Sequence, residues 1–534
     1  MLSGGTFWQM VEQRAALTPE APMIIDDRDQ VLSFAGYRDA AQRAAAGLVE
    51  LGVGPGVAVS WQLPTWTSTL VLQAALARLG ATQNPIIPVY RDREVGYCVH
   101  QSGSRLFLVP SVWRGFDYQA MAKRVTETTG TEAMASATTG TDATGSATTG
   151  TDATASADVV VCDGELPDAD VILLEAVPPP TDAEEIRWLY YTSGTTSHPK
   201  GARHCDSSVM ASGIAMVERQ QVGPGDRFGL AFPFAHIGGV SNLVVALSSG
   251  CALVIAEAFE PAATTELFAR HGVTLVGGGP AFFMAFLAEQ RKQPGRSILP
   301  ELRFFTGGGA PMPASQHYEV QAEIGGRGCC HAWGMTEAPI IAQNSPDYPD
   351  RKLAETEGRP LAGAEIKVKG FDGSPADVGV EGELWIRGPM VCRGYLDQNL
   401  NAEAFDGDWF RTGDVGFLDA DGYVTLTGRA KDIIIRKGEN ISATEIEDLL
   451  FAHPKVADAG VIGLPDEQRG ERVCAVVEPA PGVEELTLVE LADHFRSLGV
   501  MAQKIPEQLE IVDSLPRNAT GKVLKHELRA WFCS

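Results

Sequence analysis

Between Ser193 and Gly201 the chain sets four hydroxyl side chains, two glycines and one lysine into nine residues: Ser193, Gly194, Thr195, Thr196, Ser197, Lys200 and Gly201. The stretch follows a short apolar run, Ile186 to Tyr191, that reads as a buried strand. Glycine permits the dihedrals that turn successive backbone N–H groups to one side, and such a row of donors is an anion nest. Thr192 and the following hydroxyls add donors, and Lys200 adds a positive charge. A polyphosphate is the natural ligand of that set. The Walker pattern G-x-x-x-x-G-K-[ST] is not matched. A polar turn between strands is the plain alternative.

Other stretches add to the first. Arg303 to Thr306 reads as a strand running into Gly307-Gly308-Gly309-Ala310-Pro311, where missing side chains let a flat ligand approach the backbone. His331-Ala332-Trp333-Gly334-Met335-Thr336-Glu337 offers an aromatic to cover a purine, and a hydroxyl and a carboxylate to hold phosphate and Mg²⁺. Asp414 in Trp409-Phe410-Arg411-Thr412-Gly413-Asp414 suits a ribose diol, because a carboxylate accepts from both hydroxyls. Arg429 can add a charged donor at the same sugar. Gly428-Arg429-Ala430-Lys431-Asp432 and Arg436-Lys437-Gly438-Glu439-Asn440 follow, and near the terminus Thr520-Gly521-Lys522.

The elements that must carry these residues alternate. Phe7 to Leu17 reads as a helix, and Ala21 to Ile25 with Val31-Leu32 as a hairpin. Ser33 caps the next helix, whose Tyr37, Ala40, Ala41, Ala44, Leu48 and Leu51 share one face up to Gly52. Val57 to Trp61, Ala81 to Asn84, Leu106 to Val109, Val159 to Cys162 and Val171 to Leu174 are strand candidates, with a helix at Trp66 to Leu79. Repeated strand–helix–strand units imply a parallel sheet covered by helices. Asp206 to Gln220 is a further helix, and Leu275-Val276 a further strand. Phe228 to Ala256 holds no Asp, Glu, Lys or Arg, but its Pro233, paired glycines and serines suit strand, turn, helix, turn, strand better than a membrane span.

Thr126 to Asp158 breaks this rhythm. Ser136-Ala-Thr-Thr-Gly-Thr-Asp-Ala-Thr recurs from Ser146, and the stretch lacks the apolar residues of a core. It is expected to be a disordered surface insertion, 126–158, without a part in catalysis.

The chain has 534 residues, 44% hydrophobic and 21% charged, with net charge −25. This is the composition of a globular enzyme of several domains, and its acidity argues against nucleic-acid partners and against docking on anionic membranes. Nine cysteines without a C-x-x-C pair, and no basic start before an apolar segment, suit a reduced cytoplasmic setting. Cys329-Cys330-His331 reads as buried thiols beside a strand rather than as a metal site.

In this order, the phosphate loop, Trp333-Gly334-Met335-Thr336-Glu337, Arg411 to Asp414, Gly428 to Asp432 and Gly521-Lys522 resemble the adenylate-forming superfamily of acyl-CoA ligases, peptide-synthetase adenylation domains and beetle luciferases. The resemblance covers nearly the whole chain outside the insertion, and is nearest to the carboxylic acid–CoA ligases. One departure is Trp333, where that family usually has tyrosine.

The resemblance implies an α/β fold: a large multi-sheet N-terminal adenylating domain over 1–430 and a small mobile α+β C-terminal domain over 431–534, hinged near Lys431. It implies two steps with ATP, Mg²⁺ and coenzyme A. A carboxylate is converted to acyl-AMP and pyrophosphate, and a thiol then displaces AMP. Thr192, Ser193, Gly194, Thr195, Thr196 and Lys200 are expected at pyrophosphate; Gly309, Ala310, Pro311, Trp333, Gly334 and Met335 at adenine; Asp414 and Arg429 at ribose; Thr336 and Glu337 at the α-phosphate, with Glu337 on Mg²⁺. Lys522 is the expected adenylation lysine and His236 the gate at the acyl carboxylate. Lys437, Gly438 and Glu439 are expected along the pantetheine path. Gly238, Gly239, Gly307 and Gly308 are expected to leave room for an acid larger than acetate, with Phe282, Met284 and Phe286 as its apolar lining. Partners are then small molecules, with a homodimer open. The alternative acceptor is a carrier-protein phosphopantetheine, and a luciferase-like oxygenase uses the same adenylate.

Overall fold

A computed structural model describes every residue except 1, 3–4, 128–156, 193–198, 311, 437–438, 467–469, 484–485, 499–501, 518–521 and 533–534. The fold is mixed α/β, with a large N-terminal part and a small C-terminal one. The largest sheet has nine strands. Six central ones run parallel, in the order Cys329–Met335, Phe304–Gly308, Leu275–Gly277, Arg227–Leu230, Ala252–Ile255 and Pro22–Ile25. They are buried runs of apolar residues, as strands covered on both faces must be. A second sheet orders Gly201–Cys205, Ile186–Tyr191, Thr82–Pro85, Ala58–Trp61, Leu106–Val109 and Asp158–Val161.

A third, antiparallel sheet contains Gly382–Arg387, Trp409–Leu418 and Val424–Arg429. The fourth, made of Ile433–Arg436, Glu439–Ser442, Val456–Asp466, Gly470–Pro479 and Gln508–Ile511, belongs to the C-terminal part and has its own apolar clusters.

Local chemistry explains several elements. Thr6 caps the helix Phe7–Leu17 by a reciprocal box with Gln9, and Ser33 Oγ accepts from Gly36 N at 3.1 Å to start Phe34–Glu50. The uncharged stretch folds as Arg227–Leu230, helix Ile237–Ser249 and Ala252–Ile255, all buried within the large sheet layer. No helix among the described residues is long and apolar enough to cross a membrane.

Two expectations need correction. Val171–Ala176 is a 3₁₀ helix, not a strand: the Asp170 carboxylate accepts from Ile172 N and winds the chain, leaving Val171 and Ile172 exposed. The low-complexity stretch is also shorter than 126–158. The helix Tyr118–Glu127 includes buried Thr126, whose hydroxyl donates to Ala122 O, and Asp158 begins a paired strand. Residues 128–156 lie outside the described residues.

Candidate active site

The parallel strands deliver their carboxyl ends to one region, the place where open α/β sheets bind ligands. Phe304–Gly308 ends in the glycine turn, Cys329–Met335 ends before Thr336 and Glu337, and Arg227–Leu230 leads to His236. Beside them the strands Ile186–Tyr191 and Gly201–Cys205 form an antiparallel pair, and Thr192 N donates to Lys200 O at 3.0 Å on either side of residues 193–198, the expected phosphate loop. Ser193, Gly194, Thr195 and Thr196 lie outside the described residues.

Glu337 is 8% exposed. Tyr395 Oη donates to its Oε1 at 2.6 Å, and Lys200 Nζ lies 5.5 Å from the Tyr395 ring centroid. Burial pushes the Glu337 carboxyl up from its ordinary value, opposed by the tyrosine bond and by the charges of Arg429 and Lys200. Tyr395 reaches this place because its segment pairs with the strand after the phosphate loop: Arg203 N donates to Gly394 O and Leu396 N to Gly201 O. Cys392 N also donates to Glu337 O, at 2.7 Å.

Thr336 is held through its backbone. His204 Nε2 donates to Thr336 O at 2.9 Å, and burial lowers the His204 pKa to about 4, so the ring is neutral. His236 caps the helix Ile237–Ser249, with Nδ1 accepting from Gly238 N at 3.2 Å. Burial lowers its pKa too, to about 4. A neutral imidazole that accepts at Nδ1 carries its proton on Nε2, and is therefore a donor to whatever lies beyond it.

A second buried carboxylate lies on the third sheet. Asp414 stands opposite Arg429 in the register of Trp409–Leu418 and Val424–Arg429, and Arg429 Nε meets Asp414 Oδ1 at 2.8 Å. Trp333 Nε1 donates to Asp414 Oδ2 at 2.8 Å. Trp333 is 3% exposed and belongs to the main apolar core. Gly309, in contrast, is exposed, with φ of +91° and, among the described residues, nothing within 4 Å of where a Cβ would stand. Ala310 is half-buried beside it, and Pro311 lies outside the described residues.

The other glycines expected around the acid stand close to neighbouring backbone or rings. A Cβ on Gly307 would stand 1.8 Å from Gly278 O, on Gly308 1.8 Å from Ala332 O, and on Gly239 2.0 Å from Phe234 O. Their missing side chains admit neighbouring backbone. Gly238 faces the Phe232 ring. Of the expected lining, Phe286 packs with Phe259, Phe268 and Phe305 in a separate core, Phe282 meets Phe259 edge-on, and Met284 is exposed. The cavity found beside His236 and Thr336 is walled instead by residues that include Ile86, Ile87, Tyr90 and Tyr191. Tyr90 and Tyr191 carry buried hydroxyls without a partner among the described residues.

The C-terminal part meets the third sheet at its last strand, where Ser442 Oγ donates to Thr427 O. Asp432, next to Lys431, accepts from Arg529 at 3.2 Å. Lys522 immediately precedes Val523, which bridges to Arg517, and the helix Lys525–Phe532 follows; Lys525 pairs with buried Glu447 at 2.8 Å. The Lys431 and Glu439 side chains, and Lys437 and Gly438, lie outside the described residues.

Residues 11–396 match the AMP-binding enzyme family, and residues 445–522 match the AMP-binding enzyme C-terminal domain. The chain belongs to the AMP-binding enzyme family. Among its relatives, the medium-chain fatty-acid–CoA ligase of Escherichia coli K12 is 30% identical over 98% of this chain and 89% of that one. The salicyl-AMP ligase/salicyl-S-ArCP synthetase of Mycobacterium tuberculosis H37Rv is also 30% identical, over 98% and 90%. The crystal structure of ATP-bound MatB from Rhodopseudomonas palustris superposes with a TM-score of 0.82 at 25% identity, covering 98% of this chain and 99% of that one. This AMP-binding enzyme is thus an adenylate-forming ligase of the acyl-CoA synthetase type.

Two residues that matter to the site were not singled out from sequence, Tyr395 and His204. His204 follows the phosphate loop on its return strand. Tyr395 lies 58 residues from Glu337 and is brought to it only by cross-sheet pairing. The donor set also suits a magnesium ion held between protein and nucleotide. Mg²⁺ is usually bound by one or two carboxylates together with phosphate oxygens, and Glu337 is a buried carboxylate whose charge lacks full compensation. No group of three His, Cys, Asp or Glu side chains fit to hold a metal occurs among the described residues.

Proposed function

We propose that the enzyme joins a carboxylic acid to coenzyme A through an acyl-adenylate. The observation that carries this reading is the buried Glu337, held by Tyr395 and backed by Lys200 and Arg429, at the strand ends beside the glycine turn. In the first step an oxygen of the acid attacks the α-phosphorus of ATP. The bond to the β-phosphate oxygen breaks, and pyrophosphate leaves with its electron pair. Lys200 and the loop 193–198 hold that leaving group. The Nε2–H of His236 donates to the acid, and Asp414 with Arg429 fixes the ribose. Mg²⁺ at Glu337 would offset negative charge on the phosphate oxygens. Lys522 bridges the two approaching anions, acting where charge accumulates.

In the second step the sulfur of the acceptor thiol attacks the acyl carbon. The bond to the AMP oxygen breaks, AMP departs, and the thiol proton passes to solvent. Lys437, Gly438 and Glu439 flank the path of the pantetheine arm, and rotation about Lys431, between 1–430 and 431–534, exchanges Lys522 for that path. The apolar wall of the cavity at His236 supports a fatty, alicyclic or aromatic acid. The eight described cysteines are buried and unpaired, which suits the reducing cytoplasm. A carrier-protein phosphopantetheine is the second acceptor, supported by the 30% identity to the salicyl-S-ArCP synthetase.

The test is exchange of labelled pyrophosphate into ATP over a panel of carboxylic acids, followed by coenzyme A against a holo-carrier protein as acceptor. Exchange with an apolar acid, and thioester only on coenzyme A, is the expected result. No exchange with any acid overturns the reading, and transfer to the carrier alone replaces the acceptor. Lys522→Ala should abolish exchange and spare thioester formation from preformed acyl-AMP.

A further inference from the structure

His204 stands on the strand that returns from the expected phosphate loop, and neither proposed step uses it. It is fully buried, and both of its ring nitrogens are engaged. Nε2 lies 2.9 Å from Thr336 O, and Nδ1 lies 3.0 Å from Ser208 Oγ. A carbonyl oxygen can only accept, so Nε2 carries the ring proton and Nδ1 is a bare acceptor. Ser208 Oγ–H supplies the proton that Nδ1 needs. The hydroxyl oxygen is itself pinned, since it takes Cys205 N at 3.0 Å in the first turn of the helix Asp206–Arg219. Its proton has one other acceptor in reach, Cys205 O at 3.0 Å. Cys205 is the residue that caps this helix, and a cap carbonyl receives the first helical bond in any case. Only the imidazole would be left with an unpaired buried lone pair. Burial, opposed by the bond to Thr336 O, lowers the His204 pKa to about 4, so the ring stays neutral in ordinary conditions.

The carbonyls of Thr336 and Glu337 are thus both tied. His204 takes the first, and Cys392 N takes the second at 2.7 Å. The two ties come from neighbouring segments, joined where Arg203 N donates to Gly394 O and Arg393 N to Arg203 O. A peptide unit is planar, so holding Thr336 O fixes the plane between Thr336 and Glu337 and the bearing of the residues on either side.

We propose that His204 is a positioning residue for the α-phosphate step: through Thr336 O it locks the peptide between Thr336 and Glu337, so that the strand returning from the phosphate loop and the groups at the α-phosphorus act as one piece. Ser208 sets the tautomer that makes this possible. The proposal rests on the adenylation reading for the identity of the ligand.

The test uses the two phosphorothioate diastereomers of ATPαS, which place sulfur on one or the other non-bridging oxygen of the α-phosphate. In pyrophosphate exchange with Mg²⁺ the native enzyme should favour one of them. His204→Leu should lower kcat by about fivefold with the KM for ATP little changed, the fold-change of one neutral hydrogen bond, and should shrink the diastereomer preference by a similar factor. His204→Gln, whose amide N–H reaches toward the same carbonyl, should restore most of both. A merely structural role would slow both diastereomers alike, so an unchanged preference in His204→Leu overturns the proposal. If the leucine variant does not fold, Ser208→Ala keeps the ring and removes the proton that fixes its tautomer, and the preference should shrink in the same direction. The tautomer is read without any reaction from the nitrogen-15 shifts of His204 in histidine-labelled protein. A protonated Nδ1 with a bare Nε2 overturns the proposal even where adenylation is confirmed. Calorimetric titration of the two diastereomers into the native and His204→Leu proteins reads the preference even if no acid is turned over, so failure here is distinct from failure of the adenylation reading.

Discussion

Asp414 and Glu337 are both buried carboxylates, 4% and 8% exposed, on neighbouring sheets of one site. Asp414 has a partner on each oxygen, including the guanidinium of its cross-strand neighbour. Glu337 has one phenol from a distant segment, and its charge is opposed by burial more than it is helped by Lys200 and Arg429. In the proposed function Asp414 is the ribose carboxylate and is complete without ligand, whereas Glu337, on the phosphate side, is held ready for positive charge that the ligand must bring. A charge left undercompensated in the free protein is a stability cost accepted for function.

Glu337→Gln tests this most sharply. Exchange activity should fall by roughly 10²–10³, the range for losing one electrostatic contact at a reacting centre. Stability should move the other way. The carboxyl pKa is raised in the folded state, so the unfolded chain ionises first. The folded protein has its full stability below the ordinary carboxylate range and loses some as pH rises through the raised value. Thermal melts without ligand should then show the glutamine variant more stable at pH 8 and equal to the native protein below about pH 4. MgATP should raise the melting temperature of the native protein more than that of the variant. A variant that is less stable at pH 8 would break the contrast with Asp414.

Tyr395→Phe comes next. It keeps the ring near Lys200 and removes the donor that fixes Glu337 Oε1. A hydrogen bond to a charged group is worth about 1.5–3 kcal/mol, so kcat/KM for exchange should fall at least tenfold. The double variant should lose less than the sum of the two separate losses, since the residues act as a unit. Independent, additive losses would show that the tyrosine does not work through the glutamate.

Asp414→Asn should give a smaller and different effect. The amide keeps one acceptor, and Arg429, with a third of its side chain exposed, can turn to water. The KM for ATP should rise by about tenfold with kcat little changed, because the ribose lies away from the bonds that break. A loss concentrated in kcat, measured at saturating ATP, would place Asp414 among the groups that act on the transition state and erase the distinction.

How far this site could be read from sequence depended on whether the signal was local. The strand Ile186–Tyr191 and the helix Phe7–Leu17 have the bounds expected of them, since an apolar run and a 3.6-residue period need no partner to be recognised. The cap at Ser33 and the folding of the uncharged stretch are local in the same sense. Val171 to Leu174 misled because a short apolar run has no period of its own, and Asp170 decided it. Tyr395 was invisible because nothing within its own segment points to Glu337. The surroundings of the glycines were hidden for a related reason. Sequence shows that a Cβ is missing at Gly307 and Gly308, and only the fold shows that carbonyls of Gly278 and Ala332 fill the space.

The smallest effect is expected from the low-complexity stretch. Its flanks are anchored: His100 Nε2 donates to Val125 O near the end of one, and Asp158 N donates to Arg105 O at the start of the other. The strand it feeds, Asp158–Val161, is the edge of the second sheet opposite Gly201–Cys205, with four strands between them. The Lys200 loop and Tyr395 are attached to that far edge. Replacing residues 131–152 by a short glycine–serine link should thus leave exchange and thioester formation within about twofold, because nothing on the near edge sets the pairing that brings Tyr395 to Glu337. A deletion variant that melts like the native protein yet has lost exchange activity would show that the near edge communicates with the site, and that the contrast between the two carboxylates is not set by their own contacts alone.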